Sequence, residues 1–309
     1  FRNPLNPDHG SDPFMITHQG QYYLAATTWG KTLTMKKGAT IAALKAATPT
    51  VIWQDSTAAR SGNMWAPEFY LLDNGTGEPR WYHYYTAGDG SDLDTQRSHV
   101  LESTGSDPMG PYRYKAQLLN TWAIDGSILK ADGKLYFMYS AWQGSTQNVW
   151  IIAMTNPWTV TGQRTLLTSP SYAWEKEGSA QVNEGPVALY HGGRTFVTYS
   201  ASQCASPGYK LGMLELIGAN PLTAASWRKS ATPVFQAAGN AYGAGHNGFF
   251  VSPDGSEDWI VYHATTDANG SCWTDRTTRI QRFSWKTDGT PDFGSPLPTT
   301  TDIPVPSGE

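Results

Sequence analysis

Five segments of the chain share a pattern of aromatic and β-branched residues that ends with a small polar residue. These segments begin at Tyr22, Trp81, Leu135, Thr195 and Asp258. They end at positions 28, 87, 141, 201 and 264, which gives steps of 59, 54, 60 and 63 residues. Five units of that size account for nearly the whole chain of 309 residues. Similarity at a regular period indicates a repeat architecture.

Each repeat contains about four strand-like runs with turn residues between them. A second such run follows every core segment, and a short apolar piece often comes next, as at residues 51–53 and 166–167. Helical periodicity is nearly absent, and only residues 39–47 are helix-prone. Repeats of roughly 60 residues with four antiparallel strands are typical of propeller blades, and a closed ring leaves no sheet edge exposed. A pair of β-sandwiches is the rival, but it gives no reason for five similar steps.

The sequence therefore predicts an all-β fold, a five-bladed β-propeller, as a single catalytic domain over residues 1–309. A tail rich in Pro, Ser and Thr at residues 296–309 is expected to run along the surface or toward a linker. The composition agrees, since the chain has 13 Trp, 16 Tyr and 10 Phe together with 31 Gly and 20 Pro. Such a chain has the apolar side chains that a packed core needs, which argues against disorder.

Charge and hydropathy exclude several classes of partner. The formal net charge is −4, from 22 basic and 26 acidic residues, so no strong basic field is available for nucleic acid or a membrane surface. No apolar run approaches the roughly 18 residues of a membrane span. We expect a monomer with no nucleic-acid or membrane partner.

Several features favour a secreted, extracellular protein. The chain opens at Phe1 without an initiator Met and resembles a processed mature form. Asn74 and Asn269 lie in glycosylation-type sequons, although chance produces such triplets often. Cys204 and Cys272 are the only cysteines, and they suit either one bridge in an oxidising compartment or two buried thiols.

One polar residue recurs just upstream of each core segment, near the start of the repeat's first strand. The five are Asp12, Glu68, Asp125, Glu184 and His246, spaced 56, 57, 59 and 62 residues apart. The first strand of each propeller blade lines the central channel, so these positions are expected to converge. The predicted result is one small volume that contains four carboxyl groups and one imidazole.

Facing carboxyl groups are what glycosidic bond cleavage requires. One must be protonated to donate to the leaving oxygen, and another must stay ionised to activate water. Crowding raises one pKa while hydrogen bonds lower another, so one cluster can perform both roles. Glu68 could instead hold backbone amides, and His246 could be a metal ligand, a hydrogen-bonding residue or a turn histidine. Aromatic candidates for stacking on sugars are Phe14, Trp29, Trp65, Trp122, Trp142 and Tyr242.

These motifs resemble glycoside hydrolase family 43, whose members are five-bladed propellers that act on arabinose- and xylose-containing polysaccharides. The resemblance covers essentially the whole chain. The motifs that carry it are Ser-Asp-Pro-Phe at Asp12, Trp-Ala-Pro-Glu at Glu68, Ile-Asp-Gly-Ser at Asp125, Asn-Glu-Gly-Pro at Glu184, Gly-His-Asn-Gly at His246 and the stretch from Arg276. Each tetrapeptide is weak alone, and the ordered set at blade spacing is specific.

The resemblance implies a role for each catalytic candidate. Asp12 would be the general base that activates water, Glu184 the general acid, and Asp125 the residue that tunes and positions the acid. Arg276 would contact a sugar hydroxyl, with Arg279 as the alternative. The residues predicted to contact substrate are Phe14, Trp65, Glu68, Trp142, Asn183, His246 and Arg276.

The resemblance also implies a structural ion and an inverting reaction. His246 would hold a calcium or sodium ion in the channel, mostly through water, and no cofactor is needed for the chemistry. Inversion requires a water between base and sugar, so the carboxyl groups of Asp12 and Glu184 are expected about 6.5–9.5 Å apart.

The motifs look most like the branch of exo-acting α-1,5-L-arabinofuranosidases. The expected substrate is plant cell-wall arabinan or its oligosaccharides, from which terminal α-L-arabinofuranose is released. Endo-arabinanase, β-xylosidase and arabinoxylan arabinofuranosidase use the same acids and stay open, because loop shape decides among them. A non-catalytic sugar-binding propeller is the alternative from another class, and it gives no reason for three convergent acids.

Overall fold

The computed structural model describes all 309 residues, and the fold is all-β. The chain forms 20 strands and one short α-helix, and the strands fall into consecutive sets of four. The first set is β1 (Phe14–His18), β2 (Gln21–Ala25), β3 (Thr32–Gly38) and β4 (Thr50–Gln54). The second set is β5 (Gly62–Leu72), β6 (Arg80–Gly88), β7 (Arg97–Ser103) and β8 (Tyr112–Gln117).

The remaining strands repeat this order. The third set is β9 (Ile124–Ala131), β10 (Lys134–Gln143), β11 (Thr146–Asn156) and β12 (Thr159–Thr168). The fourth set is β13 (Gln181–His191), β14 (Arg194–Ala201), β15 (Lys210–Leu216) and β16 (Trp227–Lys229). The fifth set is β17 (Tyr242–Val251), β18 (Asp258–Thr265), β19 (Thr277–Trp285) and β20 (Pro291–Asp292). The core segments recognised in the sequence fall on β2, β6, β10, β14 and β18.

Hydrogen bonding connects the strands into four sheets. Three sheets are the first, second and fifth sets, each antiparallel in chain order. The other sheet has eight strands, because β11 and β13 pair in parallel at Thr146↔Gln181 and Gln147↔Val182. On either side of that two-residue junction, β9–β12 and β13–β16 pair antiparallel like the other sets.

Five hydrophobic clusters form the core, and each lies between two consecutive sets of strands. Phe137 and Tyr84, for example, pack together between the second and third sets. One cluster joins the fifth set to the first and includes Trp259 and Tyr22, both buried. The alternating aromatic residues of the second strands supply these clusters because successive strand side chains point to opposite faces.

The helix-prone segment forms α1 (Ile41–Ala46), as the sequence predicts. The Thr40 side chain caps it by accepting a hydrogen bond from the backbone N–H of Ala43, 3.0 Å away. Ile41 and Leu44 bury the helix against the cluster between the first and fifth sets. No helix in the structure has the length and apolar character needed to cross a membrane.

The tail at residues 296–309 packs against the beginning of the chain. The Phe1 amino group donates to the carbonyl oxygen of Ile303 at 2.8 Å, and the Ile303 N–H donates back to Phe1 at 2.8 Å. Ile303 is buried in the cluster between the first and fifth sets. The tail therefore contributes to the core as well as to the surface.

Candidate active site

One residue near the start of each four-stranded set has a left-handed backbone, which residues other than glycine rarely adopt. The five are Asp12 (φ 51°), Ala66 (φ 43°), Asp125 (φ 57°), Gly185 (φ 57°) and His246 (φ 37°). In the second to fifth sets, the pairing of first and second strands shifts register beside this residue. Such bulges change the direction of side chains and are common next to active sites.

The positions of the bulges show that the predicted alignment of the polar residues was wrong in the second and fourth sets. The position equivalent to Asp12 and Asp125 is occupied by Ala66 instead of Glu68, and by Gly185 instead of Glu184. Glu184 lies one residue before its left-handed position and lines the same cavity as Asp12 and Asp125. Glu68 lies two residues past its own, and it does not reach that cavity. The sequence spacing could not show this because an extra residue in a strand changes the face to which later side chains point.

The polar residues near the ends of the second strands hold these positions. Thr27 Oγ1 accepts a hydrogen bond from Ala66 N–H at 2.8 Å, and Thr86 Oγ1 accepts one from Asp125 N–H at 3.1 Å. Ser200 Oγ accepts one from His246 N–H at 2.7 Å, and His263 Nδ1 accepts one from Asp12 N–H at 3.0 Å. His263 belongs to the fifth set and Asp12 to the first. The polar position in the repeated pattern therefore fixes the backbone that carries the site.

Asp12 is surrounded by donors and lies at one end of the cavity's polar cluster. Thr27 Oγ1 donates to Oδ2 at 2.5 Å, while Arg276 Nη1 donates to Oδ1 at 3.2 Å. His246 Nδ1 lies 3.3 Å from the same Oδ1. Burial raises the pKa of Asp12, but Arg276, His246, His263 and the Thr27 hydroxyl together bring it below its ordinary value. Asp12 is therefore a carboxylate at neutral pH.

Glu184 has the opposite protonation tendency. Tyr209 donates its hydroxyl to Oε1 and Gln147 donates its amide to Oε2, both at 2.9 Å. Burial raises the pKa of Glu184 to about 7, with a further contribution from the Asp12 charge, although the two hydrogen bonds lower it in part. Glu184 therefore carries a proton over much of the acidic to neutral range.

Asp125 is the third buried carboxyl group of the cavity. Its Oδ2 accepts the backbone N–H of Gly185 at 3.0 Å. Burial raises the pKa of Asp125, and repulsion by Glu184 and Asp12 raises it further. Because Asp125 and Glu184 repel each other's charge, the pair retains at least one proton near neutral pH.

His246 contacts the carboxyl groups through Nδ1, which lies 3.3 Å from Asp12 Oδ1 and 3.9 Å from Asp125 Oδ2. Burial lowers the pKa of His246, so its ring is neutral near pH 7. No group of three or more His, Cys, Asp or Glu side chains is arranged to hold a metal ion directly. A calcium or sodium ion bound through water near His246 stays a prediction, and no step below uses it.

Arg276 is the arginine of the site. It lines the cavity and is buried, and besides Asp12 it donates to the carbonyl oxygen of Cys272 at 2.9 Å. Arg279 is fully buried, donates from Nε to Thr277 at 3.0 Å, and does not line the cavity. The structure therefore favours Arg276 over the alternative.

The carboxyl groups open into a cavity of about 690 Å³. Five tryptophans contribute to its lining, namely Trp29, Trp65, Trp122, Trp142 and Trp273. Trp29 contacts both Trp65 and Trp273, with ring centroids 5.3 and 5.7 Å apart. Trp122 and Trp142 form a second pair at 5.9 Å. A cavity with apolar ring faces beside buried acids suits a carbohydrate ligand.

Three predicted substrate contacts lie outside the cavity, as does the stacking candidate Tyr242. Phe14 belongs to the core between the first and second sets, 5.3 Å from both Phe69 and Tyr70. Asn183 is fully buried and donates to Glu175 at 3.2 Å. The Asn183 side chain points away from the cavity because Glu184, the next residue along the strand, points into it.

Glu68 is also a structural residue, although its motif suggests a substrate contact. It is buried, and its carboxyl group accepts a hydrogen bond from the Tyr70 hydroxyl. Tyr70 in turn lies 3.1 Å from Ser127 Oγ. Burial raises the pKa of Glu68 to about 8, and the hydrogen bonds from Tyr70 and Ser127 only partly offset this. Its carboxyl group is therefore largely neutral at pH 7.

The sequence interpretation missed four residues that contact the catalytic candidates or line the cavity. They are Gln147 and Tyr209, which hold Glu184, His263, which holds Asp12, and Trp273 on the cavity wall. His263 had a signal, because it occupies the position where the other segments have Thr or Ser. Tyr209 and Trp273 lie in connections between strands, outside the repeated pattern, so no comparable signal marks them.

The buried carboxyl groups, the buried guanidinium of Arg276 and the aromatic cavity are the features that cleavage of a glycosidic bond requires. The model of glycosyl hydrolases family 43 matches residues 1–291. The chain belongs to this family.

Individual relatives agree with this assignment. An extracellular exo-α-(1→5)-L-arabinofuranosidase of Streptomyces avermitilis is 36% identical over 96% of this chain and 64% of its own length. A protein of the same name from Streptomyces chartreusis is 34% identical over 85% of this chain and 82% of its own. The crystal structure of an α-L-arabinofuranosidase from Lactobacillus brevis superposes with a TM-score of 0.88 at 32% identity, covering 98% of both chains. This chain spans 62–64% of the length of the first three curated relatives it matches.

Proposed function

We propose that this chain is an inverting glycoside hydrolase that releases terminal α-L-arabinofuranose from α-1,5-linked arabinan and arabino-oligosaccharides. The observation that carries the proposal is the pairing of an ionised Asp12 with a protonated Glu184 in one aromatic-lined cavity. The names of the relatives supply the sugar and the exo mode. The buried acids supply the chemistry.

In the proposed reaction, Asp12 accepts a proton from a water molecule as that water attacks the anomeric carbon. Glu184 donates its proton to the glycosidic oxygen as the bond to the leaving group breaks. The two products are free arabinose of inverted configuration and the shortened chain. Glu184 is then a carboxylate, which the hydroxyl of Tyr209 and the amide of Gln147 stabilise. Proton exchange with water restores both carboxyl groups.

Asp125 and Arg276 support these two roles. The guanidinium of Arg276 favours the ionised form of Asp12, which the base needs. Asp125 accepts the N–H of Gly185, the residue after the acid, and so positions Glu184, while the Asp12 charge disfavours ionisation of Glu184 and helps to keep the proton that the acid needs. We further propose that Trp65, Trp142 and Arg276 contact the sugar, since all three line the cavity.

We also propose that the five sets of strands are the five blades of a propeller. The five hydrophobic clusters support this count, since each lies between two consecutive sets and one joins the fifth set to the first. The hydrogen bond from Asp12 N–H to His263 links the same two sets. On this proposal the two-residue parallel junction between β11 and β13 is a contact between neighbouring blades.

Secretion and a monomeric state complete the proposal. Cys204 and Cys272 form a disulfide, which persists in oxidising compartments, and two relatives carry the word extracellular in their names. All the carboxyl groups and the arginine come from one chain, so the site is complete without a partner subunit.

Product analysis on linear, debranched α-1,5-arabinan tests the function, with Glu184→Gln as the control. We expect arabinose alone from the earliest time point, and none from the variant. A ladder of oligosaccharides would replace exo action by endo-arabinanase action. Absence of any product, on arabinan and then on xylosides and arabinoxylan, would refute hydrolysis and favour a sugar-binding protein.

A further inference from the structure

A disulfide forms part of the cavity wall. Cys204 lies in the connection between β14 and β15, and Cys272 lies in the connection between β18 and β19. Both cysteines line the cavity with the catalytic candidates. The bond thus ties a loop of the fourth set to a loop of the fifth, across 68 residues of sequence.

The Cys272 side of the disulfide holds the arginine that contacts the base. Arg276 donates from Nη2 to the carbonyl oxygen of Cys272 at 2.9 Å and from Nε to that of Trp273 at 3.3 Å. Its remaining nitrogen, Nη1, donates to Asp12 at 3.2 Å. The backbone that begins at the disulfide therefore sets the position of the guanidinium beside Asp12.

The Cys204 side holds the tyrosine that contacts the acid. Cys204 lies in the first of two successive turns, which are closed by hydrogen bonds from Ser206 N–H to Gln203 O at 2.8 Å and from Tyr209 N–H to Ser206 O at 3.1 Å. Tyr209 then donates its hydroxyl to Glu184 at 2.9 Å. Its ring stacks on His263, with centroids 5.6 Å apart and an interplanar angle of 8°.

We propose that the Cys204–Cys272 disulfide is a positioning element of the catalytic centre, which fixes Tyr209 and Arg276 relative to one another. Through them it sets the placement of the acid, Glu184, and the base, Asp12. This inference rests on the proposed function for the roles of those two carboxyl groups, but its geometry is independent of the substrate.

The charged groups of the catalytic site explain why a disulfide that fixes the two connections is needed. Asp12, Asp125 and Glu184 crowd into one volume, and Arg276 is the permanent positive charge in contact with Asp12. The groups that face Glu184 are Tyr209, Gln147, Asp12, Asp125 and Arg276. Tyr209 and Arg276 lie in the two connections that the disulfide joins, and the other three residues lie elsewhere in the chain. Small shifts of either connection therefore change the surroundings of both carboxyl groups.

The two connections also pack tightly near the disulfide. A side chain added at Gly270 would lie 2.4 Å from Pro207 N and 2.5 Å from Ser206 C, so the two backbones are already in close contact. The disulfide covalently closes this contact at the edge of the cavity. We expect that without it the loops separate while the strands on either side keep their pairing.

The test is the double variant Cys204→Ser/Cys272→Ser, assayed well below its melting temperature on an aryl α-L-arabinofuranoside and on arabinan. We expect kcat to fall about 10- to 100-fold, the effect typical of a small misplacement of catalytic groups. Loss of the Tyr209 hydrogen bond raises the pKa of Glu184, so the alkaline limb of kcat/KM should move to higher pH. Ile303→Ala, in a buried cluster that contributes no residue to the cavity wall, is the matched control that lowers stability without moving that limb.

An unchanged kcat and an unchanged alkaline limb, with only a lower melting temperature, would show that the disulfide is merely structural and overturn the inference. Tyr209→Phe provides a second variant if the double serine variant does not fold. It keeps the stacked ring and removes the donor to Glu184, so it should move the same limb. An unmoved limb in Tyr209→Phe would also refute the inference.

A crystal structure of the native protein after reduction of the disulfide separates this inference from the proposed function. If the intact protein hydrolyses nothing, the proposed function fails, and the structure still decides the inference. Separation of Arg276 from Asp12 or of Tyr209 from Glu184 is the expected result. Retention of both contacts near 3.2 and 2.9 Å in the reduced protein would contradict it.

Discussion

Glu184→Gln should stabilise the protein at neutral to alkaline pH while it abolishes the general acid. The pKa of Glu184 is raised from 4.5 to about 7, chiefly by burial. The unfolded chain releases this proton near pH 4.5, whereas the folded chain keeps it until about pH 7. The unfolded state therefore binds fewer protons across that window, and stability falls as the pH rises through it. Glutamine does not titrate, so the stability of the variant does not fall in this way as the pH rises.

The size of the effect follows from the shift in pKa. The change from 4.5 to about 7 corresponds to at most about 3.4 kcal/mol, and the partial exposure of the side chain to water reduces this to about 2 kcal/mol. For a chain of this length, that amounts to about 4 °C in melting temperature. The difference between variant and wild type should be small at pH 4.5 and should reach its full size above pH 7.

Thermal unfolding at pH 4.5, 6 and 8 measures the stability effect, and turnover on two substrates measures the catalytic one. Turnover on arabinan should fall about 10²–10⁴-fold, because the leaving oxygen has lost its proton donor. The loss should be smaller on an aryl glycoside, whose leaving group needs little protonation. A melting-temperature difference that is the same at all three pH values, or equal losses on both substrates, would refute the assignment of Glu184 as a buried, protonated acid.

Three further substitutions test neighbouring residues. Asp12→Asn should abolish turnover on both substrates, and azide should restore it with a β-arabinosyl product; rescue with an α-product would argue against Asp12 as the base of an inverting enzyme. Glu68→Gln should keep turnover within about twofold. Because the pKa of Glu68 is about 8, the melting temperature of the variant should exceed that of the wild type at pH 9, with a smaller difference at pH 5. Trp142→Ala should raise KM for arabino-oligosaccharides about tenfold through lost apolar contact, with little change in kcat; an unchanged KM would remove Trp142 from the sugar contacts.

The repeat made the secondary structure accessible from the sequence. The core segments fall on the second strand of every set, and the helix-prone run forms α1. The period could be recognised because each second strand alternates buried aromatic residues with a fixed polar end, which Thr86 and Ser200 illustrate. Four of the five left-handed backbone positions at the site are held by these side chains, so the pattern reflected the site as well as the fold.

The alignment of the site residues was correct where the polar residue itself occupies the left-handed position of the bulge. Asp12, Asp125 and His246 occupy the left-handed position itself, so the equal spacing aligned these three residues correctly. The same spacing selected Glu68, two residues past the left-handed Ala66, and Glu184, one residue before the left-handed Gly185. Glu184 still faces the cavity, whereas Glu68 faces the protein interior, and only the register of the bulge separates these outcomes.

Residues outside the repeat could not be found by period. Tyr209 and Arg276 belong to connections between strands, and the pairing of the two cysteines that tie these connections could not be decided from two positions 68 residues apart. In physical terms, the strands fix where the carboxyl groups lie, and a connection between strands supplies the positive charge that distinguishes them. Arg276 favours the carboxylate at Asp12, whereas burial and the Asp12 charge favour a proton on Glu184. The repeated scaffold alone would hold several similar buried acids, and it is the arginine of an irregular loop that makes one of them a base.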